Sequence, residues 1–460
     1  MHNLGTTKAF QRVRSREKSV VIGPKGSGKS AILKAVSSAS GAGYSIVVTP
    51  EVFATSMLRK FVEDSAGMWD EDEAFVSTWI FTLLVEVFKR ICERARGIPA
   101  QALHSVRDFL REHATYQEVD IFTRFIKYLK EIQNVKTGDI ELSSKTKMLQ
   151  DLYALEPLYA QVPALRDGLK EDILILIDEL DQGWDNSLHA NRFIAALLQA
   201  AIRIQRLGLR VHVVVFIRSE IWDLVKYQLE QLDKLRSSIE MLSWTLGDLA
   251  GLILKRVDYC LQMGLKDIEA EYGLISTLFE GPCNGMPGFE YLASRTTMRP
   301  REILQIVRRA HEIAVEEHAE TITGQAIRKA EEDFSNWKLE HLCTEYKFIF
   351  PGLERFLPKF RGIGPVVTQM DLATIIRDYV ATQEVERLPH WLHESPSQII
   401  QTLYSIEFVG VSRATPDPRK GGGMLSRYEF AYERPSANVS GATSFLVHPA
   451  LWCRLELETS

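Results

Sequence analysis

Residues 18–30 read KSVVIGPKGSGKS and contain the most informative local pattern in the chain. The apolar run at residues 19–22 predicts a short buried strand. The next eight residues fit G-x-x-x-x-G-K-[ST], ending in Lys29 and Ser30, and the run AILKAV after Ser30 favours a helix. Strand, glycine loop and helix in this order indicate a P-loop, in which backbone N–H groups surround a phosphate at a helix N-terminus. The alternative is a chance glycine turn, against which both flanks argue.

The loop supplies a set of candidate ligands for a nucleotide. We expect Lys29 to reach the β- and γ-phosphates and to act in catalysis, and the Ser30 hydroxyl to ligate Mg²⁺. ATP and Mg²⁺ are therefore the implied cofactors. The candidate nucleotide-binding residues of the loop are Gly23, Pro24, Lys25, Gly26, Ser27, Gly28, Lys29, Ser30 and Ala31.

A second motif, ILILIDELD, lies at residues 173–181. An apolar strand that ends in Asp-Glu is typical of a Walker B element. We expect Asp178 to hold Mg²⁺ and Glu179 to polarise the attacking water. The alternative is an acidic cluster that caps the next helix, and Asp181 is left open between capping and supporting the site.

Composition sets bounds on the other functions. The chain has 460 residues, of which 45% are hydrophobic and 25% charged, and its net charge of -5 argues against attraction of the whole surface to nucleic acid. Its five cysteines are scattered without a C-x-x-C pair, which suits a reducing cytoplasm. We expect neither a signal peptide nor a membrane span, since no apolar run is long enough.

Strands and helices alternate after the P-loop. Residues 44–49, 173–177 and 211–217 are continuous apolar runs that predict buried parallel strands, and residues 188–207 predict a helix between the last two. This pattern indicates an α/β class, a doubly wound AAA+-like P-loop core with its ligand at the carboxyl edge of the sheet.

The remaining patterns divide the chain into domains. We predict a P-loop ATPase core over residues 1–240, with a helical insertion at 53–165, and a helical lid over 241–350. Thr245, with Asp248 three residues on, predicts a capping-box-like start for a helix in the lid. Residues 351–364 resemble a linker. Within residues 361–460 we predict helices at 366–380 and 395–406, a strand at 408–413, a flexible loop and a strand at 428–433. This is the order of a winged helix.

Four arginines are candidates for contacts to the nucleotide. Arg218 closes the strand expected beside Walker B, where a sensor side chain touches the γ-phosphate, unless it pairs with a carboxylate such as Glu220. Arg299 and Arg301 flank a proline at a helix start in the lid, and the alternative is a solvated helix end. Arg236 is a weaker candidate for an arginine finger.

The loop of the predicted wing is basic. Arg419 and Lys420 precede three glycines, with Arg413 and Arg427 nearby, and such a loop suits contact with DNA phosphates. A mobile hairpin tip, or a winged helix used for protein contact, is an equal alternative.

The motifs GPKGSGKS, LIDELDQGW, FIRSEIWD, MRPREIL and FLVHP together resemble bacterial P-loop ATPases of the AAA+-like division that includes STAND, KAP and origin-recognition-type ATPases. The resemblance covers most of the chain, and it is nearest to stand-alone ATPases with a C-terminal winged helix that are linked to anti-phage defence. It implies sensor 1 at Arg218 and sensor 2 at Arg299 or Arg301. An ABC signature LSGGQ is missing.

The resemblance implies a cytoplasmic ATPase switch that forms a homo-oligomer. Because no TIR, nuclease or protease domain is apparent, it implies an effector in a partner protein encoded nearby. The competing hypothesis is an origin-recognition-like protein whose winged helix binds DNA under control of ATP. A third is a scaffold that holds nucleotide with little hydrolysis.

Overall fold

The computed structural model describes residues 7–39, 44–49, 71–94, 97–113, 121–134, 156–229, 232–262, 272–416 and 424–458. The chain forms two compact units, Met1–Leu242 and Ser243–Ser460. Their junction lies close to residue 240, where the core was predicted to end.

A parallel sheet forms the centre of the first unit. Its strands are β1 Val20–Ile22, β2 Ser45–Val48, β3 Ile173–Ile177, β4 Val211–Ile217 and β5 Ile239–Met241. Their order is β2-β3-β4-β1-β5, and every neighbouring pair is parallel. β4 therefore lies between the strand before the P-loop and the strand before Asp178. This sheet with its P-loop confirms the predicted α/β P-loop class.

The central strands are apolar on both faces because helices cover both faces. All five positions of β3 are buried, as are all but His212 in β4. Carboxyl ends of parallel strands meet at one edge, so Gly23, Asp178 and Arg218, which follow β1, β3 and β4, are brought to the same edge.

The helices of the first unit include the predicted insertion. They are α1 Lys8–Arg14, α2 Lys29–Ala39, α3 Glu71–Arg94, α4 Ala100–Glu112, α5 Ile121–Asn134, α6 Glu156–Tyr159, α7 Val162–Gly168, α8 Leu188–Arg206, α9 Ser219–Val225 and α10 Leu232–Arg236. The fully buried Trp79 of α3 lies between Phe125 and Phe193, with ring centroids 4.9 Å from each. Arg203 of α8 binds both carboxylate oxygens of Glu73 at 2.7 and 2.9 Å. Helix α3 is thus anchored to α8.

The second unit begins with helices that share one core. They are α11 Leu246–Leu261, α12 Gly288–Ser294, α13 Pro300–Glu316 and α14 Gly324–Glu345, with the short strands β6 Pro282–Cys283 and β7 Met286–Pro287. Thr245 and Asp248 form the expected capping box at the start of α11, and α13 begins at Pro300 as predicted.

The C-terminal part combines helices with an antiparallel sheet. Its elements are α15 Leu353–Phe356, β8 Val366–Thr368, α16 Gln369–Ala381, α17 Pro396–Ser405, β9 Val409–Pro416, β10 Met424–Glu429 and β11 Ser444–Val447. The sheet order is β10-β9-β11-β8. Two helices, α16 and α17, precede the paired strands β9 and β10, and a capping box at Ser395 and Gln398 starts α17.

Three local predictions in this part were wrong. Residues 366–368 form a strand instead of the start of a helix, because Thr368 caps α16 and the valines pair with β11. The strand predicted at 428–433 ends at Glu429, since the Glu433 carboxylate accepts from the Phe430 amide and closes a turn. Residues 351–364 are no linker: Leu353, Phe356, Leu357 and Phe360 are fully buried in the C-terminal core.

In the segments that the structure describes, every helix is too short or too polar to cross a bilayer.

Candidate nucleotide-binding site

The loop between β1 and α2 has the backbone of a phosphate cradle. Gly26 and Gly28 have φ of 84° and 101°, in the left-handed region that glycine tolerates without strain. A Cβ on Gly23 would lie 2.5 Å from the Ser27 hydroxyl oxygen, which is closer than a carbon atom and a non-bonded oxygen can approach. This position therefore also favours glycine. Because α2 begins at Lys29, the amides of Lys29 and Ser30 precede the first helical hydrogen bonds, which the Ala31 and Ile32 amides donate to the Gly28 carbonyl oxygen at 3.1 and 3.0 Å.

Lys29 is buried inside this loop. Its side-chain nitrogen donates to the carbonyl oxygens of Gly23 at 2.6 Å and Pro24 at 2.9 Å. Burial lowers the pKa of Lys29 to about 8, although the carboxylates of Glu220 and Asp178 oppose the change. The ammonium is therefore held beside the cradle, and an anion placed there would stabilise its charge.

Ser30 and Asp178 connect the two motifs directly. The Ser30 hydroxyl donates to Asp178 Oδ2 at 2.7 Å. Mg²⁺ prefers one or two protein oxygens together with water and substrate phosphates, and a hydroxyl beside a carboxylate is such a pair. These two residues fit the ion and would hold it.

Glu179 has an unusual backbone and a defined partner. Its φ is 63°, which places this non-glycine residue in the left-handed region. The side-chain amide of Gln182 donates to Glu179 Oε2, and the Gln182 N–H donates to the Glu179 carbonyl oxygen at 3.0 Å. The carboxylate is thus held by a residue three positions further along the chain.

Arg218 lies at the same edge of the sheet, at the end of β4. It forms an ion pair with Asp181 and a longer one of 3.6 Å with Glu220. The strand placement agrees with the sensor hypothesis, and the pair with Glu220 agrees with the alternative weighed above. Four predicted site residues therefore lie near one another. Ser30 is hydrogen-bonded to Asp178, and the charges of Asp178 and Arg218 both act on Lys29.

Arg299 belongs to the second unit and has carboxylate partners there. It is 2% exposed. One nitrogen of its guanidinium lies 3.0 Å from both oxygens of Glu345, and the other donates to Glu407 at 2.6 Å. Arg301, next but one along α13, is exposed. As contacts to a nucleotide, both arginines stay predictions.

The remaining candidates are Arg236, Arg419 and Lys420. Arg236 is exposed at the end of α10, and Arg419 and Lys420 lie outside the described residues. Two basic residues of β9 and β10 are paired with acidic side chains. Arg413 contacts Glu429 at 2.9 Å, and Arg427 contacts Glu433, in the turn after β10, at 2.8 Å. The positive charge of this strand pair is therefore neutralised in part.

Sequence reasoning missed Gln182 and left Asp181 unassigned. Both lie within four residues of Asp178, so their nearness to the motif was the available signal. Their partners depend on the turn after β3, which the sequence pattern did not predict.

The chain is similar in sequence to one family model and to two known proteins. The model of the FunZ-associated C-terminal helical domain matches residues 247–343, which contain α11 to α13 and most of α14. The "Putative transposon gamma-delta 80.3 kDa protein" of Escherichia coli (strain K12) is 23% identical over 465 residues, covering 97% of this chain and 63% of that protein. "Allergen Alt a 2" of Alternaria alternata is 30% identical over 127 residues, covering 28% of this chain and 65% of that protein. The chain spans less than two thirds of the length of either relative.

Several solved structures also resemble the chain. The Aeropyrum pernix ORC2 protein in its ADP form is 12% identical, with a TM-score of 0.33, and the match covers 99% of this chain and 93% of that chain. Drosophila ORC bound to DNA is 11% identical, with a TM-score of 0.31, and the match covers 97% of this chain and 84% of that chain. Because these TM-scores are low, the fold assignment rests on the strand order and on the loop described above.

Proposed function

We propose that this protein is an ATP-binding and ATP-hydrolysing switch of the AAA+/STAND-like type. The observation that carries the proposal is the hydrogen bond from Ser30 to Asp178, which joins a phosphate cradle to an acidic strand end. A glycine-rich loop could bind an anion other than a nucleotide. The Asp178 carboxylate beside the loop, however, indicates that a cation binds together with the anion. A nucleotide with Mg²⁺ meets both requirements.

Each residue of the site has a task in this account. When bound, ATP with Mg²⁺ supplies the γ-phosphoryl group and a cation that offsets its charge. The amides at the start of α2 and the Lys29 ammonium hold the phosphates, while Ser30 and Asp178 hold the ion. Glu179 orients water, and Arg218 stabilises charge on the γ-phosphate.

The switch would act on a partner. In line with the resemblance to defence ATPases, we propose that nucleotide state controls an effector protein encoded nearby, in a bacterial anti-phage system. A homo-oligomer would let the exposed Arg236 reach the nucleotide of a neighbouring subunit. The five cysteines are all unbonded in the described segments, which supports a reducing cytoplasm as the location.

ATP-dependent DNA binding is a second candidate. It is favoured by the winged-helix order of α16, α17, β9 and β10, and by the basic residues Arg419 and Lys420 in the connecting loop. The acidic partners of Arg413 and Arg427 weaken it. Binding to duplex DNA that falls with salt and is lost in Arg419→Ala/Lys420→Ala would support this function, whereas no binding at low salt would exclude it.

The proposal is tested by ATP turnover in the wild type, Lys29→Ala and Glu179→Gln. We expect Mg²⁺-dependent turnover in the wild type and a loss of roughly a hundredfold or more in each variant. Equal turnover in all three proteins would contradict the assignment.

A further inference from the structure

We infer that Gln182 is a positioning residue for the water-orienting carboxylate of Glu179. This inference rests on the proposed function and names a residue that the motif itself does not include. Its basis is the hydrogen bond that the Gln182 side-chain amide donates to Glu179 Oε2.

The backbone alone does not fix the Glu179 carboxylate. Glu179 lies just after the end of β3, in a turn where its φ is 63°. Its side chain is half-buried, so packing alone does not hold it. A long, half-exposed side chain has several rotamers of similar free energy. A second contact is needed to hold one oxygen in place, and Gln182 provides it.

Gln182 is itself held by a rigid turn. Its N–H donates to the Glu179 carbonyl oxygen at 3.0 Å, and the Trp184 N–H donates to the Asp181 carbonyl oxygen at 3.3 Å. The indole of Trp184 is 6% exposed and donates to Asn191 Oδ1 of α8 at 2.9 Å. The turn is thus fastened to a helix that packs on the sheet, and the amide has a defined position.

The bond leaves the carboxylate suited to its task. An amide donor occupies one lone pair of one oxygen, while the other oxygen remains able to accept from water. Asp181, the residue before Gln182, forms the ion pair with Arg218. One turn therefore sets the position of both side chains that face the γ-phosphate in the proposed site.

The test compares Gln182→Met, which keeps the side-chain length and removes the donor, with Gln161→Met. Gln161 precedes α7 and makes no side-chain capping bond there, so it is a matched control in the same unit. We expect kcat to fall roughly ten- to hundredfold in Gln182→Met, with KM, Kd for ATP and the melting temperature unchanged. Gln161→Met should match the wild type.

Two further variants separate positioning from folding. Gln182→Glu, which places a like charge beside Glu179, should lower kcat at least as far. In single-turnover assays with excess enzyme, Gln182→Met should have no further effect when added to Glu179→Gln, because the two side chains act as a unit. A wild-type kcat in Gln182→Met, or a fully additive loss in the double variant, would overturn the inference. No turnover in the wild type would instead overturn the proposed function.

Discussion

The Ser30 hydroxyl lies 2.7 Å from the Asp178 carboxylate, although 148 residues separate them in the chain. The contact arises because β1 and β3 are parallel strands with β4 between them, and both residues follow the carboxyl ends of their strands. The long helical insertion between β2 and β3 does not disturb this geometry, since it packs on α8.

Ser30→Ala should weaken the binding of ATP with Mg²⁺ by about tenfold, because the ion loses one of its two protein ligands. Equilibrium titration with and without EDTA measures this. In EDTA the variant should match the wild type, and Ser38→Ala, an exposed serine on the same helix, should match it in both conditions. A loss of affinity in Ser30→Ala that persists in EDTA would contradict the role in ion binding.

Arg218→Ala should lower kcat by roughly 10²-fold while ATP still binds. Arg218 is among the groups that lower the pKa of Lys29, so its removal does not diminish the charge on that lysine. Single-turnover hydrolysis and titration separate the two effects, and Arg206→Ala, an exposed arginine of α8, serves as control. An unchanged kcat would leave Arg218 with a structural role only, as the ion-pair partner of Asp181 and Glu220.

Arg299→Ala should lower the free energy of unfolding by about 3–5 kcal/mol, because it leaves the buried carboxylates of Glu345 and Glu407 without their cation. Arg301→Ala, an exposed neighbour, should change it by less than about 0.5 kcal/mol. Denaturant unfolding gives both values. Unchanged stability in Arg299→Ala, together with lost ATP affinity, would instead support the sensor 2 hypothesis.

His448 should make the second unit less stable in mild acid. Burial lowers the pKa of His448 to about 3, and the charges of Lys338 and Arg295 add to the effect. Its pKa in the unfolded chain is near 6.5. The contribution of neutral His448 to the free energy of unfolding is therefore fully present above pH 6.5 and decreases as the pH falls toward 3. The expected slope is about 1.4 kcal/mol per pH unit.

His448→Asn keeps an acceptor for the Ala450 N–H, which His448 Nδ1 accepts at 3.1 Å, and removes the titration. Between pH 6.5 and 5 its unfolding free energy should be flatter than that of the wild type. His311→Asn, at an exposed position of α13, should keep the wild-type slope. Equal slopes in the wild type and His448→Asn would contradict the prediction.

Four of the five described strands of the sheet could be predicted because they are continuous apolar runs, whereas the short edge strand β5, which contains Glu240, was missed. The bounds expected for β3 and β4 agree with the structure, and the start of α11 followed from Thr245 and Asp248. The P-loop and Asp178 could be paired because parallel strands share a carboxyl edge. Strand bounds, helix starts and the P-loop depend on short segments of sequence, so local sequence patterns can predict them.

Long-range partners could not be predicted in the same way. The carboxylates that bind Arg299 come from positions 345 and 407, which only the tertiary fold brings together. The bond from Gln182 depends on the left-handed backbone of Glu179, which its residue type does not indicate. In the misassigned linker, Leu353, Phe356, Leu357 and Phe360 have helical spacing, but the surrounding prolines and glycines outweighed it.

We expect the loop from Gly23 to Ser30 to bind the phosphates of ATP, and equilibrium titration of Lys29→Ala with ATP and Mg²⁺ measures this. Lys34→Ala, at an exposed position of α2, is the matched control. We expect Kd to rise by roughly a hundredfold or more in Lys29→Ala and to stay at the wild-type value in Lys34→Ala. Equal Kd values in the wild type and Lys29→Ala, or no binding by the wild type, would contradict the account.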